Sequence, residues 1–182
     1  MTFHNEKRKE QRMKVPCIPI YSVINQDLIE NYLDAYNDSA PVIFRYCIQT
    51  GISIDDVLEL TIANAKQIIS AGCVTAPPFN KKTSAYDITL DKTTLLKLAV
   101  LCENKPDDAY VFSFTEGKKP TRSGFQRMLQ RATEKVMSEE AEKITVYSLK
   151  KTFVFRNYQK NKDLTEILKI TGYSSHAVFV LF

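Results

Sequence analysis

Few residues in this chain have the types and the spacing that nucleophilic or metal chemistry requires. The sequence holds two histidines, His4 and His176, and four widely separated cysteines with no C-x-x-C pair. It contains no glycine-rich phosphate loop, no serine-nucleophile elbow and no H-E-x-x-H helix. We therefore expect neither a metal nor a cofactor, and we expect the cysteines to be reduced and mostly buried.

Basic and amide side chains, by contrast, recur at helical spacing between residues 121 and 136. This segment reads TRSGFQRMLQRATEKV, and its apolar residues fall on one face of a predicted helix. The opposite face carries Gln126, Arg127, Gln130 and Arg131. Such side chains can contact the phosphates and base edges of DNA. The alternative interpretation is a solvated surface helix that is basic by chance.

Charge is distributed unevenly along the chain. The net charge is only +4, but residues 116–160 carry 11 basic and 5 acidic residues, whereas residues 15–115 carry 7 basic and 12 acidic ones. A basic third on an otherwise acidic chain indicates a surface that binds a polyanion, and a solvated helical surface is again the alternative. Residues 1–20 are predicted to be a basic tail or linker, and residues 21–182 a domain.

The scaffold that must position these side chains is predicted to be mainly helical. Helices are expected after the N-caps Asn25, Ser53 and Asp91, and from Pro41 to a stop at Gly51. Residues 121–136 form a further helix, and the last third of the chain adds two more. Between residues 62 and 90, β-branched pieces separated by glycine and proline predict a small antiparallel sheet.

Length and composition are those of a globular protein. The chain has 182 residues, of which 44% are hydrophobic and 25% charged, and this composition excludes a disordered or low-complexity chain. No apolar run is long enough to span a bilayer, and the charged N-terminus lacks the apolar core of a secretory signal. We therefore expect a cytoplasmic protein with no membrane partner.

Three segments, in order, resemble the catalytic domain of the tyrosine recombinases, the phage integrase family. Residues 50–61 read TGISIDDVLELT, similar to that family's threonine-glycine-leucine-arginine box and the acidic helix after it. Residues 144–153 read ITVYSLKKTF, similar to the box with the H-x-x-R element. Residues 170–175 read ITGYSS, similar to the leucine-glycine-histidine-serine-serine stretch. The resemblance covers about residues 20–182 and implies a mixed α/β, mainly α-helical fold with a small antiparallel sheet.

The resemblance also implies a chemical site, and its residues are substituted in this chain. Tyrosine recombinases cleave a phosphodiester with a tyrosine nucleophile, assisted by two arginines, a lysine and histidines. The matching positions here hold Ser53, Tyr147, Lys150, Tyr173 and Phe182, and Lys81 or Lys82 is nearest to the hairpin lysine. Phenylalanine has no hydroxyl to attack phosphorus, and serine offers no charge to a pentavalent phosphate. We therefore expect no active catalytic residue at these positions.

Binding of double-stranded DNA without strand cleavage is the predicted function, in a repressor or accessory factor of a phage or mobile element. The side chains predicted to bind DNA are Lys82, Lys118, Lys119, Arg122, Gln126, Arg127, Gln130, Arg131, Lys150 and Lys151. Two alternatives stay open: an active recombinase or integrase whose nucleophile lies outside this chain, and a protein-interaction module without DNA binding. We also expect association with the nucleoid, and either self-association or a second DNA-binding domain.

Overall fold

The computed structural model describes residues 17–79, 81, 83–115, 118–161 and 163–174. The elements in chain order are α1 (Val23–Asp34), α2 (Ser39–Thr50), α3 (Ile54–Leu58), α4 (Ile62–Ala71), β1 (Cys73–Ala76), β2 (Tyr86–Thr89), α5 (Lys92–Cys102), α6 (Arg122–Met137), α7 (Val146–Asn161) and α8 (Leu164–Thr171). A short 3-10 turn, Ala141–Lys143, lies between α6 and α7. The mainly helical fold with one small antiparallel sheet confirms the predicted fold class.

Helix α2 lies at the centre of the hydrophobic core. Nearly every residue of this helix is buried, including Phe44 and Tyr46 among the largest enclosed side chains. Helices α1, α5 and α7 pack around it. Its C-terminus is set by Gly51, which adopts a left-handed conformation with φ 67° as the sequence predicted.

A nearly buried carboxylate, Glu30 on α1, connects three helices. Its side chain is 8% exposed and accepts hydrogen bonds from Arg45 Nε on α2 at 2.8 and 2.9 Å. It also accepts from Lys97 Nζ on α5 at 2.9 Å. A buried charge is costly unless its partners accompany it, so this carboxylate fixes α1, α2 and α5 relative to one another.

The sheet is smaller than the sequence predicted, because residues 62–71 form helix α4 instead of a strand. Thr61 caps this helix through Asn64 N, and Gly72 ends it in a left-handed conformation. The adjacent β-branched pair Ile68 and Ile69 suggested a strand, yet both side chains pack on the core from a helix. Tertiary packing here outweighs a weak local preference. Strands β1 and β2 then pair antiparallel, with Cys73 opposite Thr89.

Two helix starts also differ from expectation. Ser22, rather than Asn25, caps α1, and α2 begins at Ser39, two residues before Pro41. Ile20 is fully buried, and its N–H donates to Thr152 Oγ1 on α7 at 2.9 Å. Ile20 therefore packs against α7.

Candidate nucleic-acid interface

Thr50 and Gly51, the threonine-glycine pair of the first segment, form a turn that packs tightly against neighbouring elements. The buried Thr50 hydroxyl donates to Tyr46 O at 2.8 Å, and Thr50 O accepts from the Tyr86 hydroxyl at 2.9 Å. A Cβ atom added to Gly51 would lie 2.5 Å from Phe153 Cδ1 on α7. These two residues therefore join α2, the sheet and α7, and they place the start of α3 beside α7.

Ser53, at the position where the resemblance implies an arginine, is the N-cap of α3. Its hydroxyl oxygen accepts from Asp56 N at 3.2 Å, and the hydroxyl donates to Asp56 Oδ2 at 2.6 Å. This is the local role that the sequence also predicted for Ser53. Because both bonds stay within the first turn of α3, the hydroxyl is engaged in holding that turn.

Tyr147, where the resemblance implies a histidine, lies in the first turn of α7 and is 63% exposed. The Arg122 guanidinium stacks on its ring, with Cζ 4.6 Å from the ring centroid. Arg122 NH1 also donates to Asp55 Oδ2 at 2.8 Å. Hydrogen bonding to Tyr147 and the charge of Asp55 raise the pKa of Arg122. The guanidinium therefore bridges the N-terminal turns of α3 and α7.

Lys150, where the resemblance implies the second arginine, directs its amine at a backbone carbonyl. Nζ donates to Phe79 O at 2.9 Å and lies 3.9 Å from the centroid of the Phe79 ring. Burial lowers the pKa of Lys150, and the nearby Asp56 carboxylate opposes that change only in part. The Lys150 amine is therefore half-buried and bonded to the backbone of Phe79.

Tyr173, where the resemblance implies the second histidine, contacts the same phenylalanine. Its ring meets the Phe79 ring edge-on at 5.5 Å between centroids, and burial raises the pKa of Tyr173. Phe79 thus links Lys150 to Tyr173, while Arg122 links Asp55 to Tyr147. Lys82 and Phe182, also predicted site residues, lie outside the described residues.

The two glutamines and the two arginines predicted on one face of α6 have different surroundings. Gln126 Oε1 accepts from Val146 N at 2.9 Å and so caps α7. Gln130 Nε2 donates to Glu134 Oε1 at 3.2 Å and to Ala141 O at 3.4 Å. Both glutamines are half-buried, whereas Arg127 and Arg131 are exposed. The outward face of α6 is therefore basic, whereas the side-chain amides of Gln126 and Gln130 bond to the segment that leads into α7.

The other three described lysines that were predicted to bind DNA differ in their surroundings. Lys118 is exposed, Lys119 Nζ forms an ion pair with Glu59 Oε1 just after α3, and Lys151 Nζ donates to Cys17 O at 2.6 Å. Glu59 and Phe79 were not predicted as partners of site residues. The sequence around Glu59 or Phe79 does not indicate these contacts, because the partners are distant along the chain. Glu59 and Lys119 are 60 residues apart, and Phe79 and Lys150 are 71 residues apart.

Metal binding and membrane insertion find no support in the part of the chain that the structure describes. Over those residues, no three histidine, cysteine or carboxylate side chains come together as a metal site. No helix within the same ranges has the length and apolar character needed to cross a bilayer.

Comparison with known proteins identifies recombinases and integrases as relatives of this chain. No family model matches it. Its sequence is 24% identical over 161 residues to the Probable integrase/recombinase YoeC of Bacillus subtilis (strain 168), an alignment that covers 88% of this chain and 85% of that protein. Because this sequence identity is low, the fold is assigned from comparison with solved structures.

Three solved structures are similar to this one over most of its length. XerA recombinase matches with a TM-score of 0.66 and 16% identity over 90% of this chain. The Tn1549 transposon integrase in complex with circular intermediate DNA matches with a TM-score of 0.58 and 14% identity over 95% of this chain. XerH site-specific recombinase bound to difH substrate matches with a TM-score of 0.55 and 16% identity over 91% of this chain. The match spans 60%, 62% and 50% of those chains. The fold is that of tyrosine recombinase catalytic domains, as the three sequence segments predicted.

Proposed function

We propose that this chain binds double-stranded DNA across α6 and the start of α7, and that it does not cleave the strand. One observation carries the proposal: the side chains where the resemblance implies catalytic residues have structural partners, while cations of α6 are exposed. Ser53 caps α3 and the Lys150 amine is held by Phe79, whereas Arg127 and Arg131 extend from the surface of α6. Phosphate contacts need only exposed positive charge.

The partners of structural relatives support DNA as the ligand. The Tn1549 integrase structure is a complex with circular intermediate DNA, and the XerH structure is bound to a difH substrate. A chain with this fold and with substituted chemical positions is suited to occupying a DNA site without exchanging strands. We assign it the role of a repressor or accessory factor of a phage or mobile element, acting in the cytoplasm on the nucleoid.

A nicked suicide duplex tests both halves of the proposal. Bound DNA is measured by fluorescence anisotropy at low salt, and covalent product by denaturing gel, with an active recombinase on its own substrate as the positive control. We expect reversible retention of the duplex and no adduct that survives denaturation. An adduct mapping to a tyrosine of this chain would support an active recombinase instead. Absence of retention at low salt would support a protein-interaction module.

The same proposal includes two further points. Residues 1–20 act as a basic tail or linker, and the domain self-associates. The tail carries Lys7, Arg8, Lys9, Arg12 and Lys14, so its removal should weaken binding to any duplex by reducing the number of phosphate contacts. Sedimentation of the chain with and without duplex measures whether one or two copies bind.

A further inference from the structure

Helix α3 brings carboxylates onto the proposed DNA-binding face and pairs them with its cations. Arg122 NH1 lies 2.8 Å from Asp55 Oδ2 in the first turn of α3. Lys119 Nζ pairs with Glu59 Oε1 at the end of the same helix. The segment from Lys119 to Arg122 is thus attached to both ends of α3.

Aromatic rings contact the same two cations. Lys119 Nζ lies 4.9 Å from the centroid of the Tyr110 ring, and Arg122 Cζ lies 4.6 Å from that of Tyr147. Each cation therefore contacts one carboxylate and one ring. A phosphate that reaches either cation would therefore compete with the carboxylate for the same N–H donors.

Neighbouring cations have no such partner. Lys118, Arg127 and Arg131 are exposed, and they form no ion pair with another described residue. The face consequently holds two kinds of positive charge, one free to meet any phosphate and one opposed by a carboxylate.

We propose that Asp55 and Glu59 compete with DNA phosphates for Arg122 and Lys119, and thereby reduce binding to arbitrary duplex. This inference rests on the proposed DNA binding. The paired side chains of Arg122 and Lys119 are 36% and 44% exposed, and exposed ion pairs are weak enough for phosphate to displace. A duplex that places phosphates at both cations displaces both carboxylates, whereas a poorly matched duplex meets their negative charge. Asp55 and Glu59 are therefore residues that determine specificity.

Isosteric neutral variants test this competition. Asp55→Asn and Glu59→Gln are compared with the wild type by anisotropy on a random-sequence duplex at one fixed low salt concentration. Each variant should raise affinity by about two- to fivefold, the range that corresponds to a weak exposed ion pair. Thermal unfolding of each variant verifies that the fold is retained.

The matched control is Asp107→Asn, which removes another exposed carboxylate paired with a lysine. Asp107 Oδ1 lies 2.7 Å from Lys66 Nζ, in the part of the fold where the chain segment before Tyr110 packs on α4. Its removal changes the net charge by the same amount but frees no cation of the proposed face. We expect a smaller change in affinity than for Asp55→Asn.

A double-mutant cycle separates competition from a general charge effect. In an Arg122→Ala background, Asp55→Asn should change affinity no more than Asp107→Asn does. An equal gain from Asp55→Asn with and without Arg122 would overturn the inference, because the carboxylate would then act only through its long-range field. A loss of affinity in Asp55→Asn would overturn it too, since Asp55 would be positioning Arg122 for phosphate.

Selectivity between duplexes is measured separately from the underlying binding. A preferred duplex is first selected from a random pool with the wild type. Relative to the wild type, the Asp55→Asn/Glu59→Gln variant should gain less affinity for that duplex than for a random-sequence duplex. An equal gain in affinity for both duplexes would refute the role in specificity. A wild type that retains no duplex would refute the proposed DNA binding itself, whereas a binding wild type with unresponsive variants would refute only the inference.

Discussion

Ser53 stabilises a short helix at the position where the family resemblance implies an arginine. A serine at an N-cap satisfies a backbone N–H that would otherwise lack a partner, and here that donor belongs to Asp56. The side chain therefore has a structural reason to be present, independent of chemistry at phosphorus.

Replacing this cap should lower stability by a measurable amount. We expect Ser53→Ala to reduce the free energy of unfolding by about 1 kcal/mol, the usual cost of losing such a cap. Ser53→Thr keeps the hydroxyl and should lose much less. Urea unfolding at neutral pH measures both variants. Equal stability of the alanine variant and the wild type would show that the hydroxyl does not hold α3.

The half-buried amine of Lys150 makes stability depend on pH. Burial lowers the pKa of Lys150 below its ordinary 10.5, so the folded protein releases this proton at a lower pH than the unfolded chain does. In that window the unfolded chain binds more protons, and stability contributed by this group rises with pH. At lower pH the lysine is charged in both states, and the cost of burying its charge is constant.

Lys150→Met should remove this dependence while keeping a side chain of similar length. The difference in unfolding free energy between wild type and variant is expected to move in favour of the wild type as pH rises towards 10.5. Urea unfolding of both proteins at several pH values between about 8 and 10 gives this difference. A constant difference would mean that the amine is solvated as well in the folded protein as in the unfolded chain.

Helix α6 presents a basic outward face because its other faces are occupied. Phe125 and Leu129 are fully buried in the core, and Gln126 and Gln130 bond to the segment that leads into α7. The arginines thus remain exposed on the face that the proposed function assigns to DNA.

Reversal of both arginines tests that assignment. Arg127→Glu/Arg131→Glu should abolish duplex retention at low salt, because two phosphate contacts become repulsive. The unfolding transition should shift little, since exposed substitutions usually change stability by about 0.5 kcal/mol or less each. Lys66→Glu/Lys92→Glu changes net charge equally on α4 and α5 and should retain most of the binding. A large loss of stability in the arginine variant would instead identify those residues as structural.

At the scale of the whole molecule, the uneven charge determines how binding responds to salt. If about three to five cations neutralise phosphates, log K should fall against log salt with a slope of roughly −3 to −5 on duplex DNA. Titration of the wild type between low and physiological salt measures this slope. Arg127→Ala should make the slope less negative by about one unit. Affinity independent of salt would contradict a phosphate-binding face.

Local sequence signals predicted the parts of this fold that depend on neighbours along the chain. Ser53, Asp91 and Gly51 act as the caps and the stop that their residue types favour. Residues 62–71 were predicted wrongly as part of a sheet, because the pair Ile68 and Ile69 favours a strand locally and a helix only once packed.

The partners of the site residues could not be predicted from the sequence, since they come from distant segments. Arg122 meets Asp55 across 67 residues and Lys150 meets Phe79 across 71. Helical periodicity likewise places Gln126 on the side of α6 opposite its apolar residues, but only the position of the following segment decides that it caps α7. Pairings of this kind are set by the global fold.

The contact between Gly51 and the Phe153 ring has a consequence for how this chain can diverge. Any side chain at residue 51 would need a backbone with positive φ and would collide with that ring, so selection for folding alone suffices to preserve the glycine. Two residues later, position 53 asks only for a good helix cap, which several residue types supply. In a saturation library sorted for folded protein, position 51 would retain glycine while position 53 would vary. A chain of this fold can therefore exchange the residue at position 53 and still keep the turn that precedes it.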